Sequence, residues 1–359
     1  MTENLDVRLP IPDSLDEKRI GRHFLFAEVA SASDSSLTYR IVIPRNWEAR
    51  RAKPTTELDP SQKIINLGQF VRPSEEQFPS IIEINYLELP REVDLGDWLT
   101  VYASGNDMKL VKWCWREFDG REMIDSLLLR KILDRTCVIR LAVLRNHTRI
   151  FLVSGLAEEN EYSNHSETFG ISVASFRLSE PREEPFAEPL ERFDLQFPFP
   201  IAFHRPASFQ IHKRSDQGES AFMLDLRASD KGDGPGHHIR VAVLKRTEGS
   251  KVSSAALFRS IIESLSPDGY KPNGEIEEVP LQIKGNRFYE RGDMMVAPMR
   301  GAEEVAEVRA LALRTDTAWY LIYVLAPDPK QQPLEWMVHK RAFEIITLTI
   351  QADVDDGCL

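Results

Sequence analysis

The chain has 359 residues, a length typical of about two domains. Apolar residues make up 42% and charged residues 28%, which is the composition of an ordinary soluble globular protein. Lysine and arginine number 45 against 56 acidic residues, and the net charge of −11 disfavours a general affinity for nucleic acid or anionic membranes. No apolar run reaches about 18 residues, so the sequence predicts no transmembrane helix.

The cysteines and the N-terminal residues both indicate in which cellular compartment the protein is found. The three cysteines, Cys114, Cys137 and Cys358, are odd in number and lack metal-ligand spacing, as is typical of free thiols in a reducing compartment. Residues 1–21 are polar and lack the basic-then-apolar order of a signal peptide. We therefore expect a cytoplasmic protein.

Composition changes sharply in the middle of the chain. Residues 178–199 combine prolines with acidic residues, and because proline stiffens the backbone and removes a donor, we interpret the segment as an extended linker. It separates a first repeat, 23–177, from a second repeat, 200–352. An N-terminal tail of 1–22 precedes the repeats, and an acidic tail of 353–359 follows them.

The two halves are similar in sequence. Residues 139–157 align without a gap on 308–326, and seven of the nineteen positions are identical. Residues 168–177 parallel 342–351 in the same order. Self-similarity of this kind predicts an internal duplication.

Strand patterns open each half. In the first half they lie at 36–44 and 80–89, and we pair them with 220–228 and 238–246 in the second half. Alternating apolar residues bounded by turn-forming residues are the basis for each of these strands.

Helices and hairpins follow the opening strands. Ser253 is suited to cap a helix in the second half, and the matching helix of the first half ends at Gly105. Hairpin strands come next, and their turns at Gly120 and Gly285 occupy equivalent positions in the two halves. Pro333 fits the first turn of a helix that closes the second half. This order predicts an α+β fold made of two tandem copies of an antiparallel sheet with helices packed on it.

Three local patterns carry a resemblance to a known superfamily. The first is an early strand, Tyr39–Pro44, followed by Trp47. The second is a hairpin strand at 150–157, which the second half repeats, and the third is a terminal helix that continues into 175–177. In these patterns each half resembles the PsbP-like superfamily, whose bacterial members include DcrB-like domains.

The second half departs from these patterns in two places. It has His204, Arg205 and Pro206 where the early proline and tryptophan are expected, and Thr347–Thr349 near the end of the terminal helix. The resemblance nevertheless extends over nearly the whole chain and implies an α/β/α sandwich in each half.

The same resemblance implies a function. Members of the superfamily are mainly binding and accessory proteins, and some DcrB-like domains resemble chaperones that hold apolar segments of type VI secretion effectors as dimers. The resemblance therefore implies a non-enzymatic, chaperone-like protein that binds another polypeptide, such as a secreted effector. Two copies in one chain would then form an intramolecular pseudo-dimer, and the chain would be a monomer.

The sequence contains none of the common catalytic or nucleotide-binding motifs, and it predicts no catalytic residues, no cofactor and no metal site. Its closest approach to a phosphate loop is the glycine-rich segment 232–236. A strand rather than a helix follows this segment, so we interpret it as a hairpin tip. His237 and His238 come next, and alternation along a strand predicts that they point apart instead of sharing a metal ion.

Arginines occupy matching positions in the two halves. Arg140 matches Arg309, and Arg145 matches Arg314. These pairs could bind an acidic partner, but solvated strand ends with local ion pairs are the simpler interpretation.

Trp113 and Trp115 are the candidate partner-binding residues. They alternate along VKWCWREF, so both rings face one side of a strand whose other side is polar enough to be partly solvated. The second half has no tryptophan at the matching positions, so the pair is not part of a shared core. The rings are either packed under a helix or exposed as an apolar binding surface.

Two alternatives to the accessory protein remain open. One is an enzyme or small-ligand binder with a site in the cleft between the repeats. The other is an immunity-type inhibitor whose acidic surface neutralises a basic toxin. A broad apolar groove favours the accessory protein, a deep pocket with convergent titratable groups favours the enzyme, and a flat acidic patch favours the inhibitor.

Overall fold

The computed structural model describes residues 17–31, 34–50, 63–73, 78–118, 120–196, 199–216, 220–228, 237–246, 252–279, 291–301 and 304–352. The glycine-rich segment 232–236, the turn at Gly285 and the acidic tail 353–359 lie outside these ranges. The described residues form two compact units. The first holds the residues up to Pro90 together with Leu95–Ala187, and the second holds Arg91–Asp94 and the residues from Glu188 onward.

The first unit contains three α-helices and ten strands among its described residues. In chain order they are α1 (Glu17–His23), β1 (Phe24–Val29), β2 (Tyr39–Pro44), β3 (Glu48–Arg50), β4 (Ile65–Val71), β5 (Ile81–Glu88), α2 (Leu95–Gly105), β6 (Lys109–Phe118), β7 (Arg121–Ile132), β8 (Arg135–Asn146), β9 (Arg149–Glu158), α3 (Tyr162–Ser175) and β10 (Arg177–Leu178).

The described part of the second unit continues the same series. Its elements are β11 (Leu190–Leu195), β12 (Ile201–Pro206), β13 (Phe209–Asp216), β14 (Ala221–Ala228), β15 (His238–Lys245), α4 (Ser254–Leu265), β16 (Lys271–Pro272), β17 (Glu277–Val279), β18 (Arg291–Arg300), β19 (Val305–Arg314), β20 (Ala318–Pro327), α5 (Pro333–Thr349) and β21 (Gln351–Ala352).

The two units connect their strands in the same order. The main sheet of the first unit runs β3-β4-β5-β9-β8-β7-β6, and that of the second runs β13-β14-β15-β20-β19-β18-β16, with β17 also paired to β18. Each unit has a second, three-stranded sheet, β1-β2-β10 or β11-β12-β21. All these pairings are antiparallel, so the predicted α+β class is confirmed.

The helix predicted from Ser253 is present. The Ser253 hydroxyl oxygen accepts a hydrogen bond from the backbone N–H of Ala256 at 3.2 Å, which satisfies a donor that the first helical turn would otherwise leave unpaired. One face of α4 is buried through Leu257, Phe258, Ile261 and Leu265. The apolar spacing read from the sequence therefore places this helix against the sheet as predicted.

The two closing helices end in the same way. At the end of α3 the Ser175 Oγ accepts a hydrogen bond from the backbone N–H of Val42 in β2 at 2.9 Å. At the end of α5 the Thr349 Oγ1 accepts one from the backbone N–H of His204 in β12, also at 2.9 Å. Each helix then leads into a two-residue strand that pairs with that same strand. The predicted match of 168–177 with 342–351 is therefore confirmed.

One predicted strand pairing between the halves is wrong. The strand within 36–44 is β2, and its counterpart by sheet position is β12, whereas the strand within 220–228 is β14, the counterpart of β4. The reason is that β12 follows Pro200 directly and ends at Pro206, so its sequence resembles an extension of the proline-rich segment.

The proline-rich segment also contains a strand. Residues 190–195, inside the predicted linker 178–199, form β11, which pairs with β12 as β1 pairs with β2. Its Phe193 ring packs against Phe203 with ring centres 5.0 Å apart. Pro189 directly precedes this strand and does not interrupt it, because proline at a strand boundary costs no ladder hydrogen bond.

The main sheet of the first unit is covered differently on its two faces. Ile82 and Ile84 of β5 belong to one buried cluster with Phe169 of α3 and Tyr39 of β2. The alternate residues of β5 line a cavity with Tyr102 of α2 on the opposite face. Helices on both faces of one sheet give the α/β/α arrangement.

None of the helices that the structure describes is long and apolar enough to cross a membrane.

Two of the three cysteines lie in the described part of the chain, and both are free thiols. Cys114 is half-buried and Cys137 is buried, and burial raises the pKa of the Cys137 thiol. Cys137 is therefore held in its protonated, unreactive form at neutral pH.

Candidate functional site

The two candidate tryptophans lie on the outermost strand of the main sheet in the first unit. In β6, Trp113 is opposite Ser126 and Trp115 is opposite Ile124 of the neighbouring β7. Both rings lie on one face of the sheet, as the alternation predicts. On the other face Lys112 is exposed while Cys114 and Arg116 are half-buried.

The tryptophan rings are exposed. Trp113 is 39% and Trp115 is 48% exposed, so the interpretation that they pack in a core under a helix is wrong. Trp98 of α2 is an example of a tryptophan that is packed in the core. It is 2% exposed and stacks on Tyr102 with ring centres 4.9 Å apart. The rings of β6 escape such cover because an edge strand has a neighbour on only one side.

The free edge of β6 is long. Its ten residues pair with β7 on one side, and no described residue forms a strand on the other. At the matching edge of the second unit, the described residues form only the short strands β16 and β17. An unpaired edge presents backbone N–H and C=O groups that an additional strand can satisfy.

The edge strand is locally basic in an acidic chain. It carries Lys109, Lys112 and Arg116 against one acidic residue, Glu117, whereas the whole chain has a net charge of −11. Lys112 and Glu117 are exposed beside the tryptophans. The chemistry of this edge therefore suits an apolar segment that carries acidic residues.

A buried ion pair lies directly behind the edge strand. Asp125 of β7 is opposite Cys114, and its carboxylate accepts two hydrogen bonds from Arg140 of β8, at 3.1 and 2.8 Å. Both side chains are fully buried. Arg116 of β6 approaches the same carboxylate at 3.7 Å, which ties the edge strand to the pair.

This arrangement corrects the interpretation of the matching arginines as solvated strand ends. Arg140 lies on the face of β8 that also carries Val138 and Ala142, and alternation turns it inward. Arg309 at the matching position is half-buried, pairs with Glu307 at 2.6 Å and lies over the Trp336 ring. Asp125 was not predicted as the partner of Arg140, although an aspartate inside the apolar strand at 123–129 is a signal for a buried charge with a partner.

The two adjacent histidines point to opposite faces, as predicted. The His237 ring lies 5.8 Å from that of His339, whereas the His238 ring lies 5.7 Å from that of Tyr323 on the face covered by α4. Among the described residues, no group of three or more histidine, cysteine or acidic side chains is placed to hold a metal ion.

Comparisons with known proteins gave matches to solved structures. No protein-family model matches the chain, and no curated protein does. Cyanobacterial PsbP from Synechocystis sp. PCC 6803 is 14% identical, with a TM-score of 0.32 over 43% of this chain and 92% of that protein. This match is to a PsbP protein, the group that the sequence patterns also resemble.

Two further matches differ in how much of the chain they cover. LpqN, involved in cell envelope biogenesis of Mycobacterium tuberculosis, is 12% identical, with a TM-score of 0.30 over 46% of this chain and 97% of that one. The type VI secretion immunity protein TplEi from Pseudomonas aeruginosa is 10% identical, with a TM-score of 0.23 over 92% of this chain and 97% of that one.

Proposed function

We propose that this protein is a non-enzymatic, cytoplasmic accessory protein that binds another polypeptide through the β6 edge of its first unit. The observation that carries the proposal is the pair of exposed rings, Trp113 and Trp115, on a strand with a free edge. The partner contributes an extended segment that pairs with β6 as an additional strand. Main-chain hydrogen bonds then supply affinity, and side-chain contacts supply specificity.

The tryptophans act as the anchors of this interface. Large aromatic rings bury much apolar area and lose little conformational entropy, which is why tryptophan is enriched among interface hot spots. Apolar side chains of the added strand that face the same side as Trp113 and Trp115 contact them directly. Acidic residues in the segment meet Lys112, which is exposed on the other side.

Within this accessory role, we propose more specifically that the protein acts as a chaperone. In that role the partner is a secreted effector whose apolar segment is held until delivery. The two units share one strand order, which supports their acting as an intramolecular pseudo-dimer that binds its partner one to one. Units joined in one chain are held at high effective concentration, so no second copy is required.

An immunity-type inhibitor of a basic toxin is the second candidate, and the net charge of −11 favours it. Such an inhibitor would bind through an acidic surface, and its affinity would fall with added salt. The β6 edge carries the opposite charge. Removal of the tryptophans therefore separates the two functions, because an acidic contact surface elsewhere would not depend on them.

Replacing both Trp113 and Trp115 by alanine is expected to remove partner binding. The wild-type chain is used to purify its partner from the native host, and the affinity of the identified partner is then measured by calorimetry. Loss of two hot-spot rings should raise the dissociation constant by a factor of about 30 or more, equivalent to about 2 kcal/mol.

Phe26→Ala is the matched control for this experiment. Phe26 is also an exposed aromatic residue of the first unit, 77% exposed, but it lies on β1 in the three-stranded sheet. Its replacement should leave the affinity unchanged. An unchanged affinity of the double tryptophan variant, or an equal loss in Phe26→Ala, would show that β6 is not the binding edge.

A further inference from the structure

A cleft of about 580 Å³ lies in the first unit, where the end of α1, the end of β2 and the first turns of α3 meet. Its volume is within the range of roughly 300–1,000 Å³ that ligand sites occupy. Its charged and titratable lining residues are Arg22, His23, Arg45, Arg72, His165 and Glu167. Three arginines against one glutamate make the cleft basic, although the whole chain has a net charge of −11.

Neutral groups hold two of these arginines in place. Arg45 Nη2 donates a hydrogen bond to the backbone carbonyl of Gly21 at 2.9 Å. Arg72 Nη1 lies 3.0 Å from His165 Nε2, and since a guanidinium can only donate, the histidine nitrogen accepts. Neither bond neutralises the positive charge, and each guanidinium keeps further N–H groups for a ligand.

The carboxylates around the cleft leave most of this charge for a ligand. Glu161 is 3.9 Å from Arg72, at the outer limit of an ion pair, and water reaches both side chains. Among the described residues, no acidic side chain pairs with Arg22 or Arg45. Glu167 is exposed, so solvent screens its effect on the arginines. The cleft therefore favours a ligand with negative charge.

The strand registers identify the matching place in the second unit. β1 pairs with β2 as β11 pairs with β12, and in each unit the residue after the second strand donates its backbone N–H to the residue before the first. This bond runs from Arg45 to His23 at 3.0 Å and from Ala207 to Pro189 at 2.9 Å. These residues therefore occupy equivalent positions.

The closing helices give the same match. His165 of α3 corresponds to His339 of α5, because the two helices end on matching hydrogen bonds to β2 and β12. The His165 ring packs edge-on against Trp47 with ring centres 6.1 Å apart, and the His339 ring packs edge-on against Phe209 at 5.2 Å. The two units thus share the frame of the cleft.

The second unit carries different residues where the first has its arginines and its glutamate. The matched pairs, first unit first, are Arg22 with Glu188, Arg45 with Ala207, Arg72 with Ala228 and Glu167 with Arg341. The second unit therefore lacks the three positive charges, and it has a carboxylate and a guanidinium at exchanged places.

In the second unit this place holds a peptide segment. Residues Arg91–Asp94 belong to that unit, and the backbone N–H of Glu92 donates to the Glu188 carboxylate at 3.2 Å. The Glu92 carboxylate lies 3.6 Å from Arg341 Nε. Both Glu92 and Glu188 are buried. A glutamate of the chain itself is therefore bound by two groups that match lining residues of the cleft in the first unit.

The geometry points to a peptide-binding cleft in the first unit, whose ligand is a short acidic segment of a partner protein. The segment docked in the second unit is the precedent for a peptide at this place in the fold. Where that unit presents one carboxylate and one guanidinium, the first presents Arg22, Arg45 and Arg72, so its ligand carries more than one carboxylate. Charge-assisted hydrogen bonds from the guanidinium groups hold those carboxylates. The cleft lining includes neither tryptophan of β6, so this site is additional to the β6 edge.

A blocked tetrapeptide, acetyl-Asp-Glu-Val-Asp-amide, is the probe, and calorimetry of the full chain at low ionic strength is the measurement. It should bind saturably, one to one, whereas its neutral counterpart, acetyl-Asn-Gln-Val-Asn-amide, should bind at least about tenfold more weakly. Replacing Arg45 and Arg72 together by methionine should weaken binding of the acidic peptide by a similar factor. Glu167→Gln should strengthen it, because this change removes a carboxylate that lines the cleft.

Lys131→Met is the matched control, since Lys131 is an exposed cation of the same unit outside the cleft. It should leave binding of the acidic peptide unchanged, and circular dichroism checks that each variant is folded. The proposal is overturned if the wild-type chain does not bind the acidic peptide at millimolar concentration, or if the folded double variant of Arg45 and Arg72 binds it as the wild type does. It is also overturned if Lys131→Met weakens binding equally. Binding of inorganic pyrophosphate without binding of the peptide would overturn it too, because the cleft would then be a phosphate site.

Discussion

Replacing Arg140 by alanine is expected to destabilise the first unit by about 3–5 kcal/mol. Arg140 and Asp125 are both fully buried and joined by two hydrogen bonds. Removal of the guanidinium leaves the Asp125 carboxylate charged, desolvated and without its bidentate partner, which costs far more than the net worth of an ion pair at the surface. Urea denaturation of the full chain, followed by tryptophan fluorescence, measures the loss.

Arg309→Ala is the matched control in the second unit. Arg309 is 20% exposed and its partner Glu307 is 17% exposed, so water reaches the pair and the expected loss is about 1 kcal/mol. A double variant with Arg140→Met and Asp125→Leu should recover most of the stability, because it removes both charges and keeps apolar volume. Equal losses for Arg140→Ala and Arg309→Ala would contradict the account of a buried pair.

Replacing Trp98 by alanine is expected to cost about 3–5 kcal/mol of the free energy of unfolding. Trp98 is 2% exposed and stacks on Tyr102 of the same helix. Its loss creates a cavity that the rigid sheet cannot fill by collapsing. Trp113→Ala and Trp115→Ala are expected to cost clearly less, about 1–2 kcal/mol each, because about half of each ring is already in contact with water.

Denaturant unfolding of the three single variants compares their losses in the free energy of unfolding. All three changes replace tryptophan by alanine in the first unit, so only the burial of the ring differs. The contrast is required if the β6 rings are to be free for a partner. A loss of several kcal/mol in Trp113→Ala or Trp115→Ala would mean that those rings are structural, and the binding surface would have to lie elsewhere.

Periodicity and turn chemistry were enough to predict much of the fold. Alternating apolar residues located the hairpin strands, and the ungapped match of 139–157 with 308–326 fixed β8 and β9 against β19 and β20. Ser253 and Pro333 marked the starts of α4 and α5 because caps and N-terminal prolines act locally. These features depend on short stretches of sequence, and so the sequence alone could reveal them.

The features that the sequence did not reveal depend on distant residues. Strand β11 forms because it pairs with β12, and its own sequence does not show this because prolines are frequent on both sides of it. The burial of Arg140 is possible because Asp125, on the neighbouring strand β7, neutralises its charge. Exposure of Trp113 and Trp115 depends on β6 being the last strand of its sheet, which local periodicity cannot show.

Amide hydrogen exchange along β6 tests the proposed binding mode most directly. The full chain is exchanged alone and with the partner that purifies with it, and protection is compared at Lys109–Phe118. Strand addition should slow exchange of the β6 amides that point away from β7, while the central strands β8 and β9 stay protected in both states. Unchanged exchange in β6, with new protection only at β1 or in the second unit, would contradict the proposal.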